Sequence, residues 1–119
     1  MPEPNQRETA TDPEALGRMF LIRANAGDVD GVVALYEPTA VIESPPGQTS
    51  TGSAAIRRLY ERLLANRPQF SGEVRQVLLR HGDLALTSTR FHGGATAEVA
   101  RRQADGTWLW ILDQPNVVG

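Results

Sequence analysis

A chain of 119 residues with a formal net charge of −2 is the size of one domain, large enough to bury a core. Its basic clusters are the neighbours Arg57-Arg58 and Arg101-Arg102, which points away from a nucleic-acid-binding face, and the absence of cysteine excludes disulfides and thiolate chemistry. No run approaches the ~20 apolar residues of a membrane span, and residues 1–11 lack the features of a signal peptide, so a soluble, cytoplasmic domain over 12–119 with a flexible tail over 1–11 is expected.

Asp12-Pro13-Glu14 reads as a helix start: a cap, a first-turn proline and an acid at the positive end of the dipole. Ala15, Met19, Ile22 and Ala26 form one helical stripe, widened by Leu16 and Phe20, and Gly27 stops it. Asp28 can cap a short second helix in which Val29, Val32, Val33 and Tyr36 share a face, ended by Pro38. Residues 40–44 read as a short strand closed by the turn Pro45-Pro46-Gly47. Ser53 can cap a third helix, whose Ile56, Leu59, Tyr60, Leu63 and Leu64 follow the spacing of one buried face. Asn66 and Pro68 close it.

From Gln69 the period becomes that of strands, with runs at 70–80, 84–92, 95–103 and 107–114. His81-Gly82-Asp83, Gly93-Gly94 and Ala104-Asp105-Gly106 supply the turns. Helices followed by a meander imply an α+β domain with helices on one face of the sheet. Alternation puts Leu84, Leu86, Ser88, Arg90 and His92 on one face of their strand, and Leu109, Ile111 and Asp113 on one face of the last. The other face of the last strand carries Trp108, Trp110 and Leu112. Helices cover only one side of so small a sheet, so this second apolar face is expected to make a homodimer through Trp108 and Trp110. Cover by loops or the N-terminal tail is the alternative.

The segment from Asn25 to Tyr36 resembles the corresponding stretch of bacterial ketosteroid isomerases, as do Val41-Ile42-Glu43-Ser44-Pro45 and Gly52-Ser53-Ala54-Ala55-Ile56-Arg57. Asp105-Gly106-Thr107-Trp108 with Leu112-Asp113-Gln114-Pro115 is similar to SnoaL-like proteins. Both belong to the nuclear transport factor 2-like superfamily. The resemblance implies a cystatin-like cone, three N-terminal helices packed on a curved antiparallel sheet, with a pocket at its open end and dimers common. It also implies which positions would carry isomerase chemistry. The proton-shuttling Asp of those enzymes falls on Ser44, the oxyanion-hole Tyr on Phe20, and the second oxyanion donor near Glu98. A serine hydroxyl is no base at neutral pH without an activator, and a phenyl ring donates no hydrogen bond. The usual ketosteroid isomerase mechanism is therefore not expected.

The polar residues of the expected pocket face are Ser44, Ser88, Arg90, His92, Glu98 and Asp113, with Phe20, Leu59, Leu86 and Ile111 as apolar lining. Asp113 or Glu98, assisted by Arg90 or His92, is the candidate for proton transfer. An Arg90–Asp113 or Arg90–Glu98 ion pair that merely closes the cone is the structural alternative. No metal-ligating histidine spacing, phosphate-cradling glycine loop or Gly-x-Ser-x-Gly elbow occurs, so neither metal nor cofactor is expected. The expected function is binding of a small apolar or carbonyl-bearing molecule, with cofactor-free acid/base catalysis of the isomerase, cyclase or lyase type. The alternatives are a non-enzymatic ligand-binding or interaction module, and an epoxide-hydrolase-like site in which Glu98 and Asp113 share a water.

Overall fold

A computed structural model describes residues 7–74 and 77–117. Asp12 accepts from the Ala15 amide and starts α1 (Ala15–Asn25), and Gly27 leaves it with φ +71°. Asp28 Oδ1 accepts from the Gly31 amide at 3.0 Å and caps α2 (Val29–Val33). That helix stops at Val33, short of the Tyr36 expected to share its face. Tyr36 instead opens the strand β1 (Tyr36–Glu43), where an aromatic ring gains a cross-strand partner in Trp110. The third helix, α3 (Ser53–Leu64), is capped by Gly52 at φ +89° rather than by Ser53. It buries Ile56, Leu59, Tyr60 and Leu64, while Leu63 points outward.

The remaining strands are β2 (Thr49–Thr51), β3 (Glu73–Val74), β4 (Leu79–His81), β5 (Leu84–Thr87), β6 (Thr89–Phe91), β7 (Gly94–Ala95), β8 (Ala97–Arg102) and β9 (Trp108–Gln114). Among the described residues they form a sheet in the order β2-β1-β9-β8-β5-β4 and a smaller one in the order β3-β6-β7. Pairing is antiparallel except for β1 with β9, which run parallel. Three expected strands are broken. The run 70–80 supplies β3 and β4 to different sheets, with residues 75–76 outside the described residues. The run 84–92 divides at Ser88, whose hydroxyl donates to the Thr96 carbonyl at 2.7 Å, and the run 95–103 divides at Thr96, whose hydroxyl accepts from the Thr89 amide. These side-chain bonds stand where the two runs pass between the larger sheet and the smaller one. The expected glycine turns stand at Gly82, Gly93 and Gly106, all with positive φ.

The core joins Leu16 and Met19 of α1, Val32 of α2 and Ile56 and Leu59 of α3 to the inner sheet face. That face includes both tryptophans, Trp108 being 2% exposed and Trp110 3%. The expectation of an exposed aromatic dimer face at Trp108 and Trp110 is thus corrected. Phe20 and Tyr36 pack on Trp110, the Arg80 guanidinium lies 5.0 Å over Trp108, and the Trp108 amide donates to the Ala10 carbonyl. Ala10 is buried, so residues 7–11 of the expected tail are docked; residues 1–6 lie outside the described residues. Among the described residues no helix is long and apolar enough to cross a membrane.

Candidate functional site

A cavity of about 390 Å³ opens between α1, the end of α3, the loop 68–72 and the inner face of the two sheets. Its walls are aromatic. Phe20 stands edge-on to Tyr60 and Phe70 at centroid distances of 6.0 and 5.7 Å, and tilted against Trp110 at 6.3 Å. Phe70 is fixed by α1: Asn25 donates from Nδ2 to the Phe70 carbonyl at 2.9 Å and accepts the Phe70 amide on Oδ1 at 2.5 Å. The loop backbone thereby gains both of its hydrogen bonds from one amide side chain, as it would from a strand.

Glu98 and Asp113 form the polar end of this cavity. They are direct partners across the β8–β9 ladder. A register shift in that ladder brings Asp113 inward: Ala100 pairs with Trp110 but Val99 with Leu112, so the extra residue Ile111 reverses the alternation. Trp110 and Asp113, three apart, therefore share the concave face.

Each carboxyl ends a hydrogen-bonded chain. Tyr36 Oη donates to Asp113 Oδ2 at 2.5 Å and lies 2.7 Å from Tyr60 Oη. A hydroxyl has one proton, so Tyr60 is the donor to Tyr36 in this arrangement. On the other side Trp110 Nε1 donates to Thr87 Oγ1 at 3.2 Å, and Thr87 donates to Glu98 Oε1 at 2.7 Å. Burial and then the charge of Glu98 push the Asp113 carboxyl up to about 8. Burial also raises Glu98, but hydrogen bonds from Thr96 and Thr87 favour its charged form and oppose the rise. Burial holds both tyrosines well above their ordinary value, so neither ionises near neutrality. Burial and the neighbouring charge thus favour the protonated form of Asp113, while two hydroxyl donors favour the charged form of Glu98.

The other expected site residues are dispersed. His92 lines the cavity at its exposed rim, and Phe20 lines its wall. Arg90 is exposed on the opposite side of its strand, because Ala85, Thr87, Thr89 and Phe91 take the inner positions. The expected Arg90–Asp113 or Arg90–Glu98 pair is not formed; among the described residues the ion pairs are Arg7–Asp28, Arg18–Glu8, Arg57–Asp30, Arg101–Glu37 and Arg102–Asp83. Leu59 is buried in the core rather than on the cavity wall. Leu86 and Ile111 lie outside the lining, displaced by the face reversal and the bulge respectively. Ser88 is committed to Thr96, and Ser44 sits in the β1–β2 turn with its amide on the Gln48 carbonyl. The expected lining role of these five residues is corrected accordingly. Tyr36, Tyr60, Thr87 and Trp110 complete the site; the sequence pattern puts Tyr36 and Tyr60 on helix faces, Trp110 at an interface and Thr87 on the strand face opposite the expected pocket. Among the described residues no group of three or more His, Asp or Glu is placed to hold a metal ion.

The described fold matches solved structures of low sequence identity. A domain of unknown function with a cystatin-like fold from Nostoc punctiforme PCC 73102 superposes with a TM-score of 0.74 at 17% identity, over 87% of this chain and 73% of that one. A ketosteroid isomerase-like protein from Erwinia carotovora atroseptica SCRI1043 gives 0.69 at 20% identity, over 85% and 89%. An NTF-2 like protein of unknown function from Shewanella oneidensis MR-1 gives 0.68 at 13% identity, over 84% and 92%. The sequence model of the SnoaL-like domain matches residues 17–117, which contain every residue of the cavity. The chain belongs to the SnoaL-like domain family.

Proposed function

We propose that this chain binds a small apolar, carbonyl-bearing molecule in the aromatic cavity and moves a proton on it without a cofactor. The observation that carries the reading is the pairing of two interior carboxyls in unlike surroundings, Asp113 against the tyrosine chain and Glu98 against Thr87. Two acids whose environments hold them in different protonation states can divide the roles of acid and base. With Tyr36 bonded to Oδ2, the proton of neutral Asp113 resides on Oδ1 and can be donated to a carbonyl oxygen. Glu98, the first of the two to ionise, takes a proton from the adjacent carbon. Phe20, Phe70 and Trp110 hold the apolar body of the ligand and exclude water.

The test is exchange of the α-protons of 2-tetralone in D2O, followed by proton NMR. Exchange above the buffer rate, reduced by about 10²-fold or more in Asp113→Asn and Glu98→Gln, is the expected result. A non-enzymatic binding module is the second reading, favoured by Ser44 and Phe20 at the two positions where the related isomerases carry an acid and a tyrosine. It requires 2-tetralone to bind without exchange.

We also propose that the protein is a homodimer through the outer sheet face. Leu79, Leu86, Val99, Leu112 and Val41 are successive ladder partners and form one apolar row across five strands. Leu79 is 66% and Leu112 51% exposed, which leaves the row open to a second copy.

A further inference from the structure

We propose that the same cavity takes a second class of ligand, a small aromatic amine bound as its ammonium ion between Glu98 and Asp113. This rests on the reading of the cavity as a ligand site and goes beyond it in naming a charge. Among the described residues this end of the cavity is short of positive charge. Glu98 is 4% exposed and bonded to Thr87, Asp113 is bonded to Tyr36, and among the described residues neither is in an ion pair. No arginine or lysine is among the described residues that line the cavity.

The walls add to the same preference. An ammonium ion is drawn to the faces of Trp, Tyr and Phe rings, most of all where water is excluded, and the cavity presents Phe20, Tyr60, Phe70, Phe91 and Trp110. A carboxylate ligand would face two acids with no arginine or lysine among the described lining residues. A neutral one would gain apolar contact and a hydrogen bond but no ion pair. The amine therefore gains twice, from the carboxylates at one end and from the rings around its body.

Binding of this kind is linked to protons. The groups facing Asp113 are Tyr36 from β1, Tyr60 from α3 and Glu98 from β8, with His92 at the rim; α1 contributes Gly17, Phe20 and Leu21, which do not titrate. The proton that Asp113 carries at neutral pH must leave for the ammonium ion to take its place. Amine affinity thus rises with pH toward about 8, where the carbonyl ligand loses its donor.

Calorimetric titration of the full chain with 2-phenylethylamine, 2-phenylethanol and 3-phenylpropionate tests this, in two buffers of different ionisation heat. The amine should bind about tenfold or more tightly than the alcohol, release close to one proton at pH 7, and gain about fiftyfold between pH 6 and pH 8. Asp113→Asn and Glu98→Gln, each folded by circular dichroism, should each weaken the amine about tenfold and the alcohol by a clearly smaller factor. Equal affinity for amine and alcohol, binding of the carboxylate, absence of proton release, variants that bind the amine as before, or no binding of the amine overturns the proposal. Exchange of 2-tetralone protons is a separate readout, so loss of the amine site leaves the proton-transfer reading to its own test.

Discussion

Glu98 and Asp113 are Cα partners on adjacent antiparallel strands, and both side chains face one aromatic cavity. Like charges opposed across a ladder repel, and burial removes the water that would screen them. The pair avoids double ionisation by keeping a proton, which in the function proposed above serves a ligand.

Replacing Glu98 with Gln removes the second-largest cause of the Asp113 shift, the neighbouring charge, but leaves burial. The Asp113 midpoint should fall below about 8 and stay above the ordinary carboxylate range. Carbon-13 carboxyl NMR of the variant checks this. An unchanged midpoint would mean that the two groups do not interact.

Stability should depend on pH through the same residue. The unfolded chain loses the Asp113 proton near its ordinary 3.8, the folded chain near 8, so unfolding between those values releases a proton. The contribution is fully present below about 4, declines as pH rises, and is gone above about 8. Asp113→Asn keeps an acceptor for Tyr36 but carries no charge. It should be more stable than the parent at pH 8, by on the order of 5 kcal/mol, with the difference shrinking toward pH 5. Thermal melts at a series of pH values decide it, and a variant less stable than the parent at pH 8 contradicts the assignment.

Asn25 gives Phe70 both its backbone hydrogen bonds, so Asn25→Ala should loosen the cavity rim with little effect on the core. Loss of the pair costs about 1–3 kcal/mol locally. Amide exchange at Phe70 should accelerate about tenfold or more, while Leu59 and Ile42, both buried, keep their protection.

The tail, faces and bulge mark the limit of what the sequence carries. Helix starts at Asp12 and Asp28, the stop at Gly27 and the three glycine turns follow from local chemistry, and they stand where composition puts them. Glu98, Asp113, His92 and Phe20 were legible as site candidates and meet at the cavity. The strand faces were not legible from hydrophobicity. Leu84 and Leu86 suggest an inner face, yet the inner positions hold Ala85, which is buried in the core, and Thr87, whose hydroxyl bonds Glu98. The bulge at Ile111 is a property of the β8–β9 pairing, and it moves Asp113 to the side of Trp110 against the simple alternation. Tyr36 was hidden by a different competition. Its spacing fits a helix face, but pairing with Trp110 and bonding to Asp113 draw it into a strand.

The outer row offers a prediction independent of the cavity. Leu112→Glu puts a charge within it and should convert a dimer, of about twice the 13.0 kDa chain mass, into a monomer. Sedimentation at micromolar concentration reads this directly. A parent chain that is already monomeric contradicts the proposed dimer without touching the cavity.

The most direct measurement is the titration of Asp113 itself in the unsubstituted protein, followed by carbon-13 NMR of its side-chain carboxyl. A midpoint near 8 is predicted, since the group stands in a water-poor cavity opposite a second acid. A midpoint near 4 would mean that Asp113 is solvated and charged at neutral pH, and both the donor role and the proton-linked amine site would be contradicted.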